Sequence, residues 1–190
     1  MKRSATDTDP ARQPELLRSH LGRPFRRIEY DVTTGETRTP EYLALNPNGR
    51  VPALQFEDGR VLAESNAILF HLAEGTPYLP ADAFARAQAL QWLFFEQYSH
   101  EPYVAVVRYW HHFIWEQVKG DAYMQRQLEE RTAKGYAALD VMEGHLSAND
   151  FFAGGAYSIA DIALYAYTHV AHEGEFDLNG YAAIRRWLDR

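Results

Sequence analysis

Residues 43–72 read LALNPNGRVPALQFEDGRVLAESNAILFHL. A turn is predicted at 46–49, because asparagine and glycine tolerate the left-handed backbone that tight turns use. Two short apolar segments, 51–56 and 60–62, flank Asp58-Gly59, which is a strong hairpin signal. A helix is predicted to begin at Ser65 and to run to about Ala73. The stretch therefore predicts a turn, two strands and a helix in direct succession.

The start of this hairpin and the start of its helix both have properties that suit ligand binding. Pro52 has no N–H, so it fits only the beginning or the edge of a strand. A cis bond between Val51 and Pro52 would leave the N–H and C=O of Val51 for a ligand, whereas the ordinary alternative is a trans proline. A helix N-terminus at Glu64-Ser65 attracts anions, whereas the alternative is that Ser65 only caps its helix.

The remainder of the chain predicts a small α/β half followed by an all-helical half. A helix is expected from Pro14 to Leu21, and the alternation of Ile28, Tyr30 and Val32 with charged residues predicts a strand. The Gly75–Pro80 segment interrupts the pattern and is the expected linker. We therefore predict one domain at residues 1–75 and a helical domain at 81–190.

Apolar residues of the second half recur at spacings of three and four, which is typical of one helix face. Three such faces are predicted. The first comprises Phe84, Ala87, Leu90, Phe94 and Tyr98, the second Leu128, Thr132, Gly135, Leu139, Met142 and Leu146, and the third Ile159, Ile162, Ala166 and Val170. A final helix is expected from about Tyr181 and includes Trp187.

Composition excludes several classes of function. The net charge of −7 argues against a basic nucleic-acid surface, and the absence of cysteine excludes disulfides and thiolate metal sites. No apolar run approaches the ~20 residues of a membrane span, so we expect a cytoplasmic protein that is not exported. His111-His112 and His169-x-x-His172 lack a supporting carboxylate pattern, and we expect no metal site.

Three motifs resemble the cytosolic glutathione S-transferase family. They are Asn46–Leu54 (NPNGRVPAL), Leu62–Ile68 (LAESNAI) and Ala156–Leu164 (AYSIADIAL). The third contains Ser158 and Asp161 in the spacing of a capping box, to which we assign a folding role. The resemblance implies a thioredoxin-like α/β N-terminal domain followed by an all-α C-terminal domain. Residues 1–13 lack the apolar content of the family's first strand, so that strand is not expected in its normal form.

The resemblance also implies a glutathione site. The backbone of Val51, ahead of Pro52, would bind the cysteinyl part, while Glu64 and Ser65 would bind the γ-glutamyl end. Arg50 would lie near the peptide backbone, and Arg38 is a weaker candidate for the glycyl carboxylate, the alternative being a solvated loop arginine.

Two further parts of the family's machinery are harder to locate. A hydroxyl near the first strand activates the glutathione thiol in these enzymes. Here Thr8 is nearest to the expected position, and its alternative is a solvated polar tail. The aromatic-rich region 92–115 would border the pocket for an apolar electrophile, or would serve core and dimer packing instead. The candidates for that second-substrate pocket are Tyr103, Val107, Arg108 and Trp110.

These inferences predict a homodimeric glutathione transferase that conjugates the glutathione thiolate to a small apolar electrophile. Glutathione would be a substrate, and no nucleic acid, membrane or metal is expected as a partner. A second hypothesis is a non-catalytic binding or regulatory protein of the same fold, inactive because its N-terminal strand is aberrant. A third is a glutathione-dependent isomerase or dehalogenase, which the absence of a cysteine-bearing start disfavours.

Overall fold

The computed structural model describes residues 13–22, 24–32 and 34–190. The chain divides into two compact units, and the boundary lies between Thr76 and Pro77. The elements of the first unit are α1 (Gln13–His20), a 3₁₀ turn (Glu36–Arg38), α2 (Pro40–Leu45), β1 (Ala53–Gln55), β2 (Val61–Ala63) and α3 (Ser65–Ala73).

The hairpin of the first unit has the predicted form. β1 and β2 are antiparallel, with Ala53 opposite Ala63 and Gln55 opposite Val61. The turn between them uses Gly59 at φ 84°, a left-handed conformation that glycine adopts without a Cβ penalty. The hairpin and the helix that follows it are thereby confirmed.

The predicted strand at 28–32 is wrong. Residues 24–32 have no regular secondary structure, and the side chains of Ile28 and Val32 are 59% and 52% exposed. Alternation of apolar and polar residues is a side-chain pattern, whereas a strand also needs a neighbouring strand for its backbone hydrogen bonds. Among the described residues the sheet has two strands, β1 and β2.

The second unit is helical throughout. Its elements are α4 (Ala83–Phe95), a π-helical segment (Glu96–Ala105), α5 (Val106–Phe113), α6 (Trp115–Gly120), α7 (Ala122–Ala148), α8 (Ile159–Thr168), a 3₁₀ turn (Ala171–Gly174) and α9 (Ala182–Leu188). This composition confirms the predicted all-α domain.

Helix α8 lies at the centre of the second unit, and the predicted capping box is present at its start. The Asp161 carboxylate accepts from the Ser158 N–H at 2.9 Å, the Phe152 N–H at 3.2 Å and the Trp187 indole N–H at 3.0 Å. Burial nevertheless raises the pKa of Asp161, because desolvation of the charged form outweighs these hydrogen bonds. One buried side chain thus links α8 to its preceding loop and to α9.

The predicted helix faces differ in whether the structure buries them. Gly135, Leu139, Met142 and Leu146 of α7 are buried, as are the four predicted residues from 159 to 170, although Val170 lies beyond the end of α8. The predicted helix α4 is present, but its predicted face does not pack inward, since Phe84, Phe94 and Tyr98 are exposed while Ala89, Trp92 and Leu93 are buried. Both faces of α4 are apolar, so spacing alone does not identify the one that packs inward.

Candidate functional site

The open end of the β1–β2 hairpin brings the two candidate segments together. The last pair of the register is Ala53 opposite Ala63, so Val51 precedes that pair by two residues and Ser65 follows it by two residues. The segment before β1 and the start of α3 therefore both adjoin the same end of the hairpin.

Val51 has a backbone that is available for a ligand. Its bond to Pro52 is cis, and neither its N–H nor its C=O forms a hydrogen bond with another described residue. An extended peptide can add to such a backbone by main-chain hydrogen bonds.

The two residues at the start of α3 do not cap it with side-chain bonds to the described part of the chain. Glu64 precedes the helix without a side-chain capping bond, and the Ser65 hydroxyl makes no hydrogen bond with a described residue. Glu64 has φ 69° and ψ 117°, which is unusual for a residue with a Cβ and costs about 1–3 kcal/mol. Such strained residues cluster at ligand sites, where the surrounding structure holds them in place.

The loop before Val51 is attached to α2 by side-chain hydrogen bonds. Tyr42 and Asn46 both donate to the carbonyl oxygen of Arg50, at 2.7 and 2.8 Å. Asn46 itself is extended, and Gly49 is the loop residue with left-handed backbone, at φ 62°. The expectation that asparagine acts here through left-handed backbone is therefore wrong for Asn46, which acts through its side chain.

The two arginine candidates differ in their surroundings. Arg50 is exposed at the end of the loop. Arg38 donates from Nη1 to the carbonyl of Asn48 at 3.0 Å, and its guanidinium lies so close to Gly49 that any Cβ there would clash with it. Arg38 is therefore exposed, as the alternative describes, but its guanidinium also supports the loop through this hydrogen bond.

The four second-substrate candidates do not form one open surface within the second unit. Tyr103 lies 5.5 Å from the Lys134 ammonium and Trp110 lies 5.5 Å from the Arg131 guanidinium, so both rings face α7. Val107 is fully buried and cannot contact a ligand without rearrangement. Arg108 forms an ion pair with Glu173, in which Nε donates to the carboxylate at 2.6 Å.

Two of the exposed aromatic residues of this region form a pair that was not among the sequence-based candidates. Tyr109 and Phe113 of α5 stack on each other at 5.3 Å between ring centroids. Their spacing of four residues is the signal that would have indicated a shared helix face.

The remaining predictions concern the thiol-activating residue, metal binding and membrane spans. Thr8 lies outside the described residues. In the part of the chain that the structure covers, no group of three or more His, Asp or Glu side chains has the arrangement of a metal site. His111 instead stacks on Trp115, and His169 bonds the carbonyl of Tyr165. None of the described helices is long and apolar enough to cross a membrane.

Comparison with known families identifies both units. The glutathione S-transferase N-terminal domain family matches residues 11–74, and the corresponding C-terminal domain family matches residues 125–190. The crystal structure of a glutathione S-transferase from Pseudomonas fluorescens is 46% identical, with a TM-score of 0.88 over 96% of this chain and 90% of that one. The chain belongs to the glutathione S-transferase family.

Two other relatives illustrate the range of this family. The disulfide-bond oxidoreductase YfcG of Escherichia coli is 31% identical over 173 residues, which are 87% of this chain and 78% of YfcG. The structure of a Burkholderia graminis glutathione transferase, with two glutathione molecules bound per subunit, is 28% identical and has a TM-score of 0.83. That match covers 96% of this chain and 79% of the other.

Proposed function

We propose that the protein is a glutathione transferase that binds glutathione at the open end of the β1–β2 hairpin. The observation that carries this proposal is the Ala53–Ala63 pair, because Val51, whose backbone has no hydrogen-bond partner among the described residues, and the start of α3 both lie within two residues of it. One extended tripeptide with a carboxylate at its end matches both features. Glutathione bound to the Burkholderia graminis relative supports the choice of ligand.

Each part of glutathione has a proposed partner. The N–H and C=O of Val51, next to Pro52, pair with the backbone of the cysteinyl residue. The γ-glutamyl carboxylate accepts from the Ser65 hydroxyl and the first N–H groups of α3, which carry the positive end of the helix dipole. Glu64 accepts from the γ-glutamyl ammonium. Arg50 and Arg38 supply positive charge near the peptide and the glycyl carboxylate.

The proposed reaction forms a bond between the glutathione sulfur and an electrophilic carbon. The thiol loses its proton to solvent, the thiolate supplies the electron pair, and the leaving group departs with the pair of the broken bond. A thiol with a pKa of about 8.5 needs a hydrogen-bond donor to be ionised at neutral pH, and Thr8 is the candidate.

The electrophile is proposed to contact apolar surface of the helical unit. Of the original candidates, Tyr103, Arg108 and Trp110 retain some exposure, and Tyr109 and Phe113 add an exposed aromatic stack on α5. An aromatic surface favours a small apolar electrophile, because burial of its hydrocarbon releases ordered water.

The protein is also proposed to be a cytoplasmic homodimer. Phe84, Phe94 and Tyr98 are 73%, 63% and 77% exposed and lie on one side of α4 and its π-helical continuation. Exposed apolar patches of this kind mark interaction surfaces. We assign this one to a second copy of the chain.

Calorimetry with glutathione and a turnover assay with a chlorinated aromatic electrophile test the proposal together. Tight binding that Ser65→Ala weakens by about 5- to 150-fold, with turnover above the uncatalysed rate, is the expected result. Binding without turnover would favour the non-catalytic alternative. Turnover of a glutathione-linked disulfide alone would indicate an activity like that named for YfcG. No binding by the unmodified protein would overturn the proposal.

A further inference from the structure

We propose that Tyr42 and Asn46 are positioning residues that aim the backbone N–H of Val51 at glutathione. They do so by holding the carbonyl group of Arg50 from two sides. This inference rests on the proposed glutathione site, to which neither side chain has been assigned above.

The hydrogen bonds to Arg50 fill its carbonyl oxygen completely. Tyr42 Oη donates at 2.7 Å and Asn46 Nδ2 at 2.8 Å, and a carbonyl oxygen has two lone pairs. Both side chains are nearly inaccessible to water, at 3% and 5% exposure. Solvent therefore competes little for this acceptor, and the two bonds hold the carbonyl in one direction.

The geometry of the peptide group transmits this constraint to Val51. The carbonyl of Arg50 and the N–H of Val51 belong to the same planar unit, and the bond between these residues is trans. In a trans peptide group the C=O and the N–H point in opposite directions. Because the carbonyl points at Tyr42 and Asn46, the N–H of Val51 points away from both donors.

The two donors are themselves rigidly held. Tyr42 belongs to α2, and Asn46 is the extended residue that follows the helix, so both are anchored to the same element. Asn46 donates its backbone N–H to Tyr42 at 2.9 Å, accepts from the Gly49 N–H at 2.8 Å, and accepts at Oδ1 from the Asn48 N–H at 3.1 Å. The Tyr42 ring packs edge-on against Tyr30 at 4.6 Å.

A fixed N–H matters because a backbone donor contributes most to the binding free energy when its segment does not have to become ordered on binding. Ordering a mobile segment at the moment of binding subtracts from affinity, whereas a preorganised segment avoids that loss. Loss of one clamp bond is therefore expected to weaken glutathione binding even where the fold survives.

The test compares Tyr42→Phe with Tyr30→Phe as its matched control. Each removes one hydroxyl from the same ring pair, but the Tyr30 hydroxyl makes no hydrogen bond with a described residue. A second variant, Asn46→Asp, removes the other donor and keeps the acceptor at nearly the same volume. Calorimetry gives the Kd for glutathione, and ¹⁵N relaxation of the unliganded protein gives the order parameter of the Val51 amide.

We expect Tyr42→Phe to raise the Kd about 3- to 10-fold, as loss of one hydrogen bond would. The Val51 order parameter should fall from about 0.85 toward 0.6, and Tyr30→Phe should change neither value. A changed unfolding midpoint with an unchanged Kd and order parameter would overturn the inference and leave a merely structural role. If Ser65→Ala weakens binding but Tyr42→Phe and Asn46→Asp do not, this inference fails alone. If the unmodified protein does not bind glutathione, the proposed function fails and the inference fails with it.

Discussion

Glu143 of α7 provides a specific prediction about how the last helix is held. Its carboxylate accepts the N–H of Ala183 and the N–H of Ile184, each at 2.9 Å, at the start of α9. The first N–H groups of a helix have no partner within the helix, so a carboxylate from another helix satisfies them and also complements the helix dipole. We predict that Glu143→Gln destabilises the protein through loss of one of these two bonds.

The magnitude follows from the number and type of bonds. A hydrogen bond to a charged acceptor contributes about 1.5–3 kcal/mol, and the charge at the helix start adds about 0.3–1 kcal/mol. The pair is only partly buried, so we take the lower end of each range and expect about 2 kcal/mol for Glu143→Gln. Glu143→Ala, which removes both bonds, should cost about 3–4 kcal/mol.

Urea unfolding followed by circular dichroism measures this difference. Glu129→Gln is the matched control, because Glu129 is an exposed residue of the same helix and has no hydrogen bond with a described residue. Its substitution should change the free energy of unfolding by less than about 0.5 kcal/mol. Equal effects of Glu143→Gln and Glu129→Gln would refute the assigned role of the carboxylate.

Three more predictions concern other parts of the molecule. Phe94→Ser should shift the protein from dimer to monomer in light scattering at micromolar concentration. Tyr123→Ser, which changes an equally exposed aromatic residue on α7, should not. A dimeric Phe94→Ser variant would contradict the interface assignment. Burial lowers the pKa of His100 to about 3, so the unfolded state binds its proton first as the pH falls below about 6.5. The protein should lose about 2 kcal/mol of stability at this residue between pH 7 and pH 5, and a His100→Gln variant with the same pH dependence in urea would exclude that source. Gly49→Ala should reduce stability and glutathione affinity more than Gly59→Ala does. Both glycines have positive φ, but only a Cβ at 49 meets the Arg38 guanidinium. Equal losses in parallel calorimetry and unfolding experiments would show that backbone conformation alone matters.

Features that depend on residues close in the chain were predictable. Asp58-Gly59 identified the hairpin, and Ser158 with Asp161 identified the capped start of α8, because a turn and a helix cap are each formed within a few residues. The candidate segments at Val51 and Ser65 were recognised for the same reason. The pairing of β1 with β2 then brings both segments to the same end of the hairpin.

Features that depend on distant partners were settled by packing in three dimensions. Phe94 and Trp92 both have the spacing of a core residue, and Trp92 is the buried one because its ring packs on His145 and Phe152. Arg108 is engaged by Glu173, which is 65 residues away, and the carbonyl of Arg50 is held by a tyrosine on α2. Residue type and spacing specify what a side chain can bind, but the tertiary arrangement determines which partner lies close enough to bind it.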